Sequence, residues 1–242
     1  MKTTNLLSLL IIALLFACKD DEQATTSLEL TFEHKAGEEV FEYEHLYETE
    51  AGNEFSLRLW RTYISKVRLI KKDGAIYEIP DSYYLIEPLN EGRFSLELEN
   101  IPVGEYEKIS FYIGVAGEAN LSEEIVGDLD PSNNMAWNWT TGYKYVRMDG
   151  EFIDIVGNRR GVVVHIGTAN NLKNLVFNLS PLSLGEERAH LNFVVDLLEA
   201  FKNPHTIDFE VENDFQFNNE ADLIGENYSN GYIYLKEETA QH

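Results

Sequence analysis

The sequence predicts an all-β chain, an antiparallel β-sandwich with minor helical turns, and three observations carry that expectation. Apolar residues recur at every second position through much of the chain, the spacing of a strand with one buried face. Clusters of Gly, Pro, Asn and Asp interrupt these segments at short intervals. Runs of helical period are few and short, so the packed layers should be sheets.

The first segment, 27–34 (SLELTFEH), sets Leu28, Leu30, Phe32 and His34 on one face and Glu29, Thr31 and Glu33 on the other. Further strands are expected within 55–70, 83–86, 93–98, 108–115, 144–152, 162–166, 172–179, 191–196 and 206–211. Turn signals such as Lys72-Asp73-Gly74, Pro102-Val103-Gly104, Asp130-Pro131-Ser132-Asn133 and Val156-Gly157-Asn158 divide them. Helix is expected only over 197–201 (LLEAF), stopped by Asn203-Pro204. With no internal repeat and no boundary signal, residues 27–242 form one domain, and a hydrophobic content of 44% is ample for its core.

The N-terminus has a separate purpose. Residues 6–17 (LLSLLIIALLFA) are too few to span a bilayer permanently, so 1–17 is expected to be a secretory signal. Leu15-Phe16-Ala17-Cys18 resembles a bacterial lipobox, which would make Cys18 the lipidated first residue and 18–26 a flexible, solvated tether. Cys18 is the only cysteine, so no intramolecular disulfide can form. Lys19-Asp20-Asp21-Glu22 resembles the export tag of Bacteroidetes surface lipoproteins. The expected location is therefore the outer membrane, on the cell surface or the periplasmic face, held through the lipid anchor alone. A net charge of −23, from 19 basic against 42 acidic residues, argues against nucleic-acid partners and anionic membrane surfaces.

No standard catalytic signature is present: there is no GxSxG, HExxH, P-loop, paired CxxC or Rossmann glycine string, so a non-enzyme is expected. Strand parity sorts the histidines. His34 and His205 fall on apolar faces, His165 lies in GVVVHIG, and His190 opens HLNFVVD on the face of Asn192, Val194 and Asp196. Each alone reads first as a hydrogen-bonded structural histidine, whereas several converging would mean a metal. The stretch 133–145 (NNMAWNWTTGYKY) holds two of the three tryptophans. Trp137 and Trp139 share parity, and read either as packing at one end of the sandwich or as oxidisable indoles beside a soft-metal site, with Met135 and Met148 nearby in sequence. Gly127-Asp128-Leu129-Asp130-Pro131 offers carboxylates for calcium, but it lacks the alternating acids of an EF-hand loop and reads first as a proline-stiffened turn.

Taken in order, LELTFEHKAG, TYISKVRLIKKDG, SYYLIE, IPVGEYEKISFYIGV, LDPSNNMAWNWTTGYKYVRMDGEF, VVHIG, AHLNFVVDLLEAF and ENYSNGYIY resemble MbnP-like proteins over residues 28–235. Some members are secreted copper-binding proteins of methanobactin operons, and others are Bacteroidetes lipoproteins. The most specific piece is DPxxxMxWxWxxGY, from Asp130 to Tyr143, followed by the HIG of residues 165–167. The resemblance implies a β-sandwich that binds copper outside the cytoplasm, for capture or delivery. It also implies a dihaem cytochrome c peroxidase-like partner that oxidises a tryptophan to kynurenine. Carried over by motif, Trp137 and Trp139 are the modified or metal-adjacent aromatics, and His165, His190 and His34 are the metal ligands. The chain departs from the family pattern at Ala116, where an aspartate is common, and at Ala136, where an aromatic is common. A reading of a different class is a cell-surface module that binds glycan or peptide on the aromatic cluster of Trp137, Trp139, Tyr143 and Tyr145.

Overall fold

The structure is a computed structural model that describes residues 24–89, 91–122, 125–138, 141–185 and 188–236. The signal segment, Cys18, Trp139 and His242 lie outside the described residues. Fifteen strands run in chain order: β1 (Thr25–Ala36), β2 (Glu39–Val40), β3 (Tyr47–Glu48), β4 (Glu54–Lys71), β5 (Ile76–Glu78), β6 (Tyr83–Ile86), β7 (Arg93–Pro102), β8 (Gly104–Ile113), β9 (Ala136–Asn138), β10 (Gly142–Ile153), β11 (Arg159–Gly167), β12 (Lys173–Leu184), β13 (Ala189–Asp196), β14 (Asp214–Phe215) and β15 (Ile233–Leu235). One α-helix, α1 (Asn219–Asn227), a π-type turn over Tyr228–Tyr232 and several short 3₁₀ turns complete the description.

The strands form a sandwich of two mixed sheets. The smaller has the order β15-β13-β1-β2, with β7 also on β1; the larger runs β12-β8-β4-β10-β11-β14, with short strands on β4 and β10. Pairing is antiparallel apart from β1 with β13 and β11 with β14, which are parallel. Pure antiparallel pairing was the expectation; joining the first long strand to one from the last quarter of the chain leaves their directions independent of any hairpin.

Alternation decides which face is buried. Leu28, Leu30, Phe32, His34 and Ala36 of β1 point inward, and meet Phe193 and Val195 of β13 and Trp60, Ile64 and Phe111 from the larger sheet. In β4 the buried set shifts parity from Leu57 to Trp60 and again from Ile64 to Val67. Register breaks lie at both places, and Lys66 takes a φ of 53° at the second, so each bulge resets which residues face the core. A second, smaller core of Tyr63, Tyr83, Leu85, Val115, Leu129, Met135, Tyr143 and Tyr145 forms where the 115–145 region folds over the outer face of the larger sheet.

Two sequence expectations change. Residues 206–211 are not a strand: Ile207 and Phe209 are buried, but their N–H groups bond to Phe201 O and Asn53 Oδ1, not to a ladder. Phe209 packs against Phe55, Phe152, Phe201 and Phe215 and closes one end of the sandwich. Helix α1 was not expected; Asn218 caps it by accepting from Ala221 N at 3.0 Å. The turn over Leu198–Phe201 is present as a 3₁₀ segment.

Candidate functional site

The candidate site lies on the outer face of the larger sheet. In β11, Val162, Val164 and Ile166 fill the core, so His165 points outward; in β10, Val146 and Met148 do the same, sending Arg147 and Asp149 outward. The register places Arg147 opposite His165. His165 Nε2 lies 2.7 Å from Asp149 Oδ1, and Arg147 donates from Nε and Nη2 to Asp149 Oδ2 at 2.8 and 2.7 Å. Arg147 Nη1 also donates to Asn134 O at 2.9 Å, which ties this cluster to the tryptophan-bearing loop.

Electrostatics fixes the proton. Burial pushes the Asp149 carboxyl up, but the hydrogen bond and charge of His165 and the Arg147 guanidinium outweigh it and hold the group below its ordinary value. An ionised carboxylate only accepts hydrogen bonds, so the proton between the two groups sits on His165 Nε2 and the other ring nitrogen, Nδ1, is the one turned away from Asp149.

Trp137, on β9, covers the neighbouring stretch of the same face. Its ring lies so close to Gly167 that a Cβ there would stand 2.2 Å from an indole carbon. Gly167 is two residues beyond His165 on the same side of β11, about 7 Å along the strand. The glycine of HIG is thus the bare backbone on which the indole rests. Phe217 packs on Trp137 with ring centroids 4.6 Å apart, and Lys144 Nζ sits 5.5 Å from the indole centroid while donating to Ala136 O at 3.0 Å. Burial lowers the Lys144 pKa and Arg147 adds to the effect, against Asp149. Trp137 Nε1 is buried and has no hydrogen-bond partner among the described residues.

The other predicted ligands lie elsewhere. His34 is 1% exposed between the sheets, edge-on to Trp60 at 4.9 Å, with Nδ1 donating to Gly92 O at 3.0 Å and Nε2 buried without a partner among the described residues. Desolvation lowers its pKa to about 4, against smaller raising effects of its backbone hydrogen bonds. His190 stands on the outer face of the smaller sheet, 2.9 Å from Thr31 Oγ1. The three imidazoles lie on the outer face of the larger sheet, between the sheets and on the outer face of the smaller sheet, and no group of three or more His, Cys, Asp or Glu that could hold a metal occurs among the described residues. Met135 and Met148 are fully buried in the two cores. The possible calcium loop spends its carboxylates on backbone, Asp128 on Leu85 N and Asp130 on Ser132 N. Tyr143 and Tyr145, 6% and 1% exposed, belong to the smaller core and offer no stacking platform for a glycan.

Sequence reasoning singled out His165 and Trp137 but missed Asp149, Arg147, Lys144 and Phe217. The parity of β10 could have found the first two: a charge on each side of Met148 must share the outward face.

A family model described as MbnP matches residues 25–221. Among solved structures, MbnP from Methylosinus trichosporium is similar at 16% identity and a TM-score of 0.48, over 76% of this chain and 79% of that one. No curated protein matches the chain.

Proposed function

The chain belongs to the MbnP family, and from that premise we propose that it is an extracytoplasmic copper-binding lipoprotein that captures or delivers the metal and catalyses no reaction. His165 is the ligand this reading rests on. One observation carries it: His165 donates from Nε2 to Asp149 Oδ1 at 2.7 Å on the face that Trp137 covers, and Nδ1 has no hydrogen-bond partner among the described residues. Ligating histidines characteristically hand their other ring N–H to a carboxylate, which fixes the ring and raises its basicity. Imidazole suits copper, and the affinity order favours copper over the other divalent first-row ions.

In this reading Arg147 holds Asp149, Asp149 orients His165, and Phe217 and Lys144 hold Trp137 against Gly167. Trp137 or Trp139 is the indole that a dihaem cytochrome c peroxidase-like partner would oxidise to kynurenine. His34 and His190 are too far apart in the fold to join His165 on one ion, so they take structural roles. The chain is anchored to the outer membrane through Cys18.

The test is copper content after expression of the whole chain with copper present. Stoichiometric copper should be found in the wild type and in His190→Ala, and should be lost in His165→Ala. Copper retained in His165→Ala, or absent from the wild type, would refute the assignment. Intact mass, read on protein made with and without the partner, reports kynurenine as the exchange of one carbon for one oxygen.

A further inference from the structure

Away from the candidate site, the hairpin joining β10 to β11 ends in Ile155-Val156, which are 90% and 76% exposed, and the neighbouring loop carries Val211 at 80%. Turn positions favour Gly, Pro, Asn, Asp and Ser, so nothing local selects two β-branched aliphatics there. Nor is the tip loose. Asp154 Oδ1 accepts from Val156 N and Asn158 N at 3.1 and 2.7 Å, and Asp154 N donates to Asn158 O at 2.8 Å. Ile155 N donates to Glu210 Oε1 at 2.5 Å, which locks the hairpin to the loop of Val211. Three bare aliphatics are held as one rigid knob.

We infer that this knob is a docking surface for another protein that presents an apolar recess edged by Lys and Arg. The knob lies at the end where β1 finishes: Ile153 pairs with Glu54, and Phe55 packs on Phe201, which follows β13. The chain enters at the opposite end, where Thr25 pairs with Pro102. Charge selects among outside partners. Asp154 precedes Ile155 and bonds the turn, Glu210 bonds Ile155 N, and Asp208, Glu210 and Glu212 flank Val211 along the chain, against Arg159 and Arg160, of which Arg159 is paired with Glu151. A rim of that sign on a chain of net charge −23 disfavours an anionic membrane or a second copy, and favours a basic rim.

The test uses the full-length chain in its native cells, with a photo-crosslinking residue at Val156 and a control probe at Ile76, an aliphatic 61% exposed near the entry end. The protein captured from Val156 is then purified and titrated. The inference stands if that protein binds the wild type, binds Ile155→Ser/Val156→Ser about tenfold or more weakly, binds Ile76→Ser unchanged, and weakens with added salt. It falls if Val156 captures nothing beyond the Ile76 probe, if the product is a second copy of this chain or lipid alone, or if the double substitution leaves affinity intact. Both positions are exposed, so the substitutions spare the core.

Discussion

Trp137 rests directly on the Cα of Gly167, with no room between them for a methyl group. Gly167→Ala should force the indole off β11 and press on Tyr143 O as well. The expected cost is about 1–3 kcal/mol of unfolding free energy, the usual range for overpacking. Denaturant titration followed by tryptophan emission checks both the cost and the displaced ring.

Asp149 links stability to acid. Its folded-state pKa lies below the ordinary value, so its contribution is present above the unfolded carboxylate range and disappears as pH falls through the folded value. Asp149→Asn should therefore lower stability at neutral pH by ~1 kcal/mol, a modest figure because the pair is partly solvated. The difference from the wild type should shrink at an acid pH below the unfolded carboxylate range. Parallel urea titrations at the two pH values measure it.

His34 acts at higher pH. The folded chain keeps it neutral down to about 4, while the unfolded chain takes up a proton near 6.5. Unfolding therefore gains a proton between those values, and stability falls as pH drops from 6.5 toward 4, by a total on the order of 3 kcal/mol. His34→Leu removes that slope and also the unpartnered Nε2. A stability-pH profile as steep in the variant as in the wild type would show that other groups set the slope.

Asn227 is fully buried and satisfies three backbone groups: it accepts from His205 N and donates to Ala200 O and His205 O. Asn227→Ala leaves all three without that partner and should cost about 2–4 kcal/mol. Asn227→Asp keeps the acceptor but not the donors, and should recover only part. Thermal unfolding of the pair against the wild type checks the order.

Much of the sandwich was legible because a strand with one buried face writes that face at period two, as in Leu28, Leu30 and Phe32. Residues 206–211 show the limit: Ile207 and Phe209 alternate in burial because they plug an open end, and alternation alone does not reveal a missing ladder. Helix α1 was hidden for a different reason. Its residues, NEADLIGEN, are rich in loop formers, and it is held by the packing of Ala221 and Ile224 into the core. At the site, parity correctly separated the facing of His34 from that of His190. That parity could not show that β1 and β13 are neighbours, in a register that sets His34 opposite Val195 and His190 opposite Glu29, on opposite faces of one sheet.

The parallel union of β1 with β13 also orders events in time. The first long strand is made early but has one flank on β7 and the other on a strand some 160 residues later. Until that late strand emerges, β1 keeps an open edge, so the smaller sheet stays unfinished. Assembly must await nearly the whole polypeptide, and a chain cut before residue 189 should be prey for chaperones and proteases rather than a smaller version of the protein.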